Sequence, residues 1–107
     1  MITYENAESA LQYLVNSDDE YARAKTLYDA LHEQRKTVEA IEYNLLKTGS
    51  AADKKQLAIG SNEYSKHLIA LHDAHIEYET LKAKRLTNQS IIEMWRSVNS
   101  ARKQGNI

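Results

Sequence analysis

The chain has no cysteine, no proline and no phenylalanine, and only three glycines in 107 residues: Gly49, Gly60 and Gly105. Without cysteine there is no disulfide, no thiol nucleophile and no thiolate metal site, a pattern that fits a reducing compartment. Without proline, and with glycine this scarce, the many turns of an all-β chain cannot be built. No apolar run approaches the roughly 20 residues of a membrane span. The opening stretch, MITYENAESA, carries acids in place of a basic start and an apolar core, so it does not read as a secretion signal. Gly-rich phosphate loops and Ser/His/Asp groupings are also missing. The expectation is a cytoplasmic, non-enzymatic protein with no cofactor and no membrane partner.

What is present is rich in Leu, Ala, Glu, Lys, Gln and Arg, the residues that lose least on entering a helix. The length leaves room for one domain. The fold class expected is all-α: a short N-terminal helix followed by a long antiparallel, coiled-coil-like helical hairpin, completed by dimerisation.

The boundaries follow from caps and periodicity. Thr3 caps a first helix over residues 4–16, with Ala7, Ala10, Leu11, Leu14 and Val15 on one stripe. Ser17-Asp18-Asp19-Glu20 reads as a capping box that opens a second helix over 18–47. Along it, Ala24, Leu27, Leu31, Gln34, Val38, Ile41 and Leu45 alternate by three and four, the spacing of a coiled-coil seam. Gly49 closes that helix with a left-handed cap, and Ser50 opens the next after two residues of turn. The third helix spans 51–103, with Gly60-Ser61 and Thr87-Asn88 as the two places for a break. Its seam runs through Tyr64, Leu68, Leu71, His75 and Tyr78, then drifts to Leu81, Arg85, Asn88, Ile92 and Trp95.

Candidate chemistry is thin. His72 and His75 share a helix face with Glu79, but Glu-x-x-His, the pair from which helical di-iron sites are built, does not occur. No metal site is expected. Glu39-Ala40-Ile41-Glu42 resembles the magnesium-holding Glu-x-x-Glu of the all-α nucleotide pyrophosphohydrolases. The matching acidic pair on a later helix is missing, and Ile41 between the acids points to packing.

Two surface features remain. A third helix of about 50 residues would outrun a partner of about 30 by roughly 15–20 residues. That overhang carries Ile91, Ile92, Trp95 and Val98, which makes them the expected dimer or partner interface. On the same stretch Lys82, Arg85, Arg96 and Lys103 fall within about 60° of one another at 100° per residue. A basic stripe beside the only tryptophan is also what a nucleic-acid contact would use. The charges are segregated as well. Residues 1–20 hold five acids and no base, whereas residues 80–107 hold six bases against Glu93.

From Lys84-Arg85-Leu86 through Ile91-Ile92-Glu93-Met94-Trp95-Arg96-Ser97 to Gly105, the tail resembles the ends of small helical proteins encoded by bacteriophages and prophages. The Glu-x-Trp-Arg-Ser core carries the resemblance, which covers about a fifth of the chain. It implies a phage accessory factor, placed in the cytoplasm of a bacterial host, that self-associates and binds a protein partner. The alternative is a nucleic-acid-binding accessory of phage recombination or replication.

Overall fold

The structure is a computed structural model, described here for residues 1–105. It is all-α: α1 (Tyr4–Leu45), α2 (Ala51–Ile59) and α3 (Asn62–Gly105), with no strand among the described residues. No helix among them is long and apolar enough to cross a membrane.

Thr3 does cap α1, and it does so reciprocally. The Asn6 amide donates to Thr3 Oγ1 at 3.2 Å, and the Thr3 amide donates to Asn6 Oδ1 at 3.0 Å. Two orphan donors of the first turn are thereby satisfied. The expected break at Asn16-Ser17 does not occur, and α1 runs through it for 42 residues. Ser17 is buried at 4% exposure and sits mid-helix, its hydroxyl donating to the Leu14 carbonyl at 3.4 Å. A serine costs only about half a kcal/mol in a helix interior. The hydrogen bonds it makes here offset that cost, so the cap signal in the sequence goes unused.

α1 ends at Leu45, two residues before the expected end, and five residues join it to α2. Gly49 has φ +109°, so the left-handed conformation anticipated there is present, in the turn and not as the residue that closes α1. Ser50 caps α2 by accepting from the Asp53 amide at 3.2 Å. The third expected helix is interrupted at Gly60-Ser61: α2 stops before Gly60, and Ser61 starts α3 by accepting from the Tyr64 amide at 3.1 Å. Thr87 and Asn88 begin no new helix. Their side chains donate to the Ala83 and Lys84 carbonyls one turn back, and α3 continues through them.

The chain forms two compact units, residues 1–22 with 79–107, and residues 23–78. In the first, contact pairs run in opposite sequence order: Met1 meets Arg102, Tyr4 meets Trp95, and Asp18 meets Arg85. One side of this seam is Ala7, Ala10, Leu14, Ser17 and Tyr21; the other is Leu81, Arg85, Asn88, Ile92 and Trp95. All ten are buried or half-buried, and the second set is the seam read from the sequence. Small side chains at Ala7, Ala10 and Ser17, all buried, let the backbones approach closely.

In the second unit the α1 face is not the expected one. Ala24, Leu31 and Val38 face inward, but Leu27, Gln34, Ile41 and Leu45 are exposed. Tyr28, Arg35 and Glu42 take the intervening positions and are half-buried. Opposite them, Tyr64, Leu71 and Ala74 are buried, and Ala58 of α2 is 1% exposed. The cause of the rotation lies in the rings. Tyr28 stacks on His75 at 4.5 Å and on Tyr78 at 5.6 Å between centroids. Leu27 offers no such stack, and aromatic pairs add about 0.5–1.5 kcal/mol beyond the area they bury.

Candidate interaction surfaces

Trp95 is half-buried, with its ring edge-on to Tyr4 at 5.7 Å and 64°. Ile91, Ile92 and Val98 are half-buried as well. The expected overhang rested on a first arm of about 30 residues. Because α1 is 42 residues long, its N-terminal turns reach this stretch of α3. The four residues are therefore partly covered within the unit, and their outer edges alone remain for another molecule.

The basic stripe is divided. Arg85 turns inward: Nη1 donates to the Leu14 carbonyl at 2.9 Å and to Ser17 Oγ at 2.8 Å, and Nη2 donates to Asp18 Oδ1 at 2.7 Å. Its guanidinium lies 5.0 Å from the Tyr21 ring centroid, and its side chain is 16% exposed. This planar, five-donor group suits such a site, where a carbonyl, a hydroxyl, a carboxylate and a ring face converge. Arg85 is thus spent on the fold. Lys82, Arg96 and Lys103 are exposed, and Arg96 also pairs with Glu93 at 3.3 Å. The clasp on Ser17 was missed in the sequence because its two halves lie 68 residues apart. The only signal for it was an arginine at a seam position.

The histidines do not gather into a metal site. Among the described residues no group of three His, Asp or Glu side chains is placed to hold an ion. His67 Nε2 lies 2.6 Å from the Leu31 carbonyl, so this nitrogen carries the proton and donates. His75 is engaged in the Tyr28 stack, with His32 at 6.0 Å from the same ring. Glu39 and Glu42 do not flank a buried Ile41, which is 54% exposed. Glu39 instead borders an open concavity of about 350 Å³ with Lys36, Tyr43, Asn44 and Lys55.

No protein-family model, no curated protein and no solved structure matches the chain.

The most prominent surface feature is apolar. Among the described residues no large side chain is fully enclosed, while Leu11, Val15, Leu27, Ile41, Leu45 and Ile76 are each at least half exposed. Single exposed apolar side chains are ordinary on a folded protein. Here they coexist with a core made mainly of alanines, and that combination is not ordinary.

Proposed function

We propose that this chain is a non-enzymatic helical interaction protein: an antiparallel, coiled-coil-like hairpin that self-associates and binds a protein partner. In this reading it is a phage or prophage accessory factor acting in the cytoplasm of a bacterial host, as its tail sequence suggests. The carrying observation is the imbalance between core and surface. Alanines contribute little on burial, about 0.8 kcal/mol per methyl-sized group, whereas a leucine or isoleucine contributes about 1.5–3 kcal/mol. The large apolar groups that would contribute most are still in water. Association would bury them, and it would also shield the outer edges of Ile91, Ile92, Trp95 and Val98.

Light scattering across a concentration series tests the self-association. A mass above that of one chain, lowered by Leu27→Ser with Ile41→Ser, is the expected result. One chain at every concentration overturns that half of the reading. Retention on single-stranded DNA at low salt, lost on reversal of Lys82, Arg96 and Lys103, would replace the protein partner with a nucleic acid.

A further inference from the structure

One column of buried and half-buried positions on α1, from Ala7 to Glu42, advances by alternating threes and fours without a break. A matching column on α3 runs from Tyr64 to Asn99. An unbroken heptad repeat carries no register mark of its own, because a shift of seven residues brings another member of the column to each place. The connection leaves room for such a shift: residues 46–61 join α1 to α3, and only the nine of α2 are helical. In one neighbouring register each α1 residue takes the place of the one seven further on. Tyr21 then stands where Tyr28 stands now, against His75 and Tyr78, and Ala10 replaces the similarly small Ser17. Size changes go both ways, since Ala24 takes the place of Leu31 while Leu31 takes that of Val38. Trp95 loses the edge contact of Tyr4.

Arg85 separates the registers far more sharply. In the observed one its side chain is 16% exposed and donates to the Leu14 carbonyl, Ser17 Oγ and Asp18 Oδ1. In the register just described it would face Ala10 and Leu11, which offer neither hydroxyl nor carboxylate. In the opposite one it would face Ala24 and Lys25, a like charge. A charge withdrawn from water and deprived of its partners costs more than one lost aromatic pair. A polar group at a single seam position is an attested means of fixing the register of paired helices. We propose that Arg85, with Ser17 and Asp18, is a register lock: it selects one alignment of α1 on α3 where the heptads alone permit a neighbouring one. The lock acts within one chain and holds whether or not the chain self-associates.

The test is a distance between nitroxide labels at Gln12→Cys and Ser100→Cys, two exposed positions in a chain with no cysteine of its own. Labelled chains are diluted with unlabelled ones, so that only pairs within a chain are read, and helicity is followed by circular dichroism. The otherwise unaltered chain should give one distance. The shift that puts Ala10 in the place of Ser17 lengthens it by about 10 Å, seven residues at 1.5 Å each. Arg85→Leu with Ser17→Ala removes the lock, and the longer distance should appear beside the first. A second variant moves the acceptors and keeps Arg85: Ala10→Ser and Leu11→Asp, with Ser17→Ala and Asp18→Leu. It should show the longer distance alone, with Trp95 emission moved to the red as Tyr4 withdraws. The native distance alone in either variant would overturn the lock. Loss of helicity in both would overturn it as well, since the cluster would then hold the helices together and not merely align them.

Discussion

Arg85 is the residue on which the first unit turns. It joins α3 to three points on α1, at the Leu14 carbonyl, Ser17 Oγ and Asp18. Hydrogen bonds to charged groups contribute about 1.5–3 kcal/mol each, and buried partners left unmatched add to the loss. Arg85→Met should therefore lower stability by roughly 2–3 kcal/mol in urea unfolding. Arg85→Lys should recover little of it, because an ammonium cannot donate in a plane to three acceptors. Equal stability of the lysine variant and the wild type would mean that the charge alone matters. Tyr4 offers a gentler probe. Its ring meets Trp95 edge-on, so Tyr4→Ala should move Trp95 emission to the red and cost about 0.5–1.5 kcal/mol.

At the scale of the element, the continuity of α1 is the point on which sequence and structure part. A helix starting at Ser17 would leave the amides that follow it without intrahelical acceptors. Hydrogen exchange should instead show Asp18, Asp19 and Glu20 protected to the same degree as their neighbours, and fast exchange confined to those three would restore the break. Gly49 tests the turn. Its φ of +109° strains any residue with a Cβ, so Gly49→Ala should cost roughly 1–2 kcal/mol, measured in the same urea titration. The all-α class was legible because it follows from composition, and the Leu81-to-Trp95 seam was legible because its spacing continues the Tyr64-to-Tyr78 column, with Leu81, Ile92 and Trp95 at its apolar positions. The face of α1 between Ala24 and Leu45 was not. Leu27 and Tyr28 stand side by side at equally good heptad positions, and the choice between them is made by His75 and Tyr78, some 50 residues away. The cap at Ser17 failed for a similar reason: its hydroxyl is claimed by a partner that local sequence does not display. Of the two surface expectations, the basic stripe lost Arg85 in the same way. The apolar tail lost its isolation because the length of α1 was misjudged.

For the whole molecule, the balance of buried and exposed apolar groups decides behaviour. A chain whose core is mostly alanine, with Tyr64, Leu71 and Leu81 beside it, gains little from folding alone, so its stability should depend on its concentration. Thermal unfolding at several protein concentrations should give a midpoint that rises with concentration. A midpoint independent of concentration would mean that the chain folds and persists by itself. The separation of acids from bases adds a salt dependence to the same measurement, distinct from the concentration term.

The nine-residue α2 has one further bearing, on where the chain is cut. A helix this short does not hold in water unaided. It is secured by a capping serine, by Ala58 as its one buried residue, and by Lys54, which lies 5.7 Å from the Tyr43 ring centroid. Lys47, Lys54 and Lys55 fall in or beside it. Brief trypsin treatment should open the backbone at these lysines well before the arginines and lysines inside α1 and α3. The two halves should then travel as one species under native conditions and separate only in denaturant. The two long helices would thus be able to assemble as separate peptides, with α2 as a removable tether.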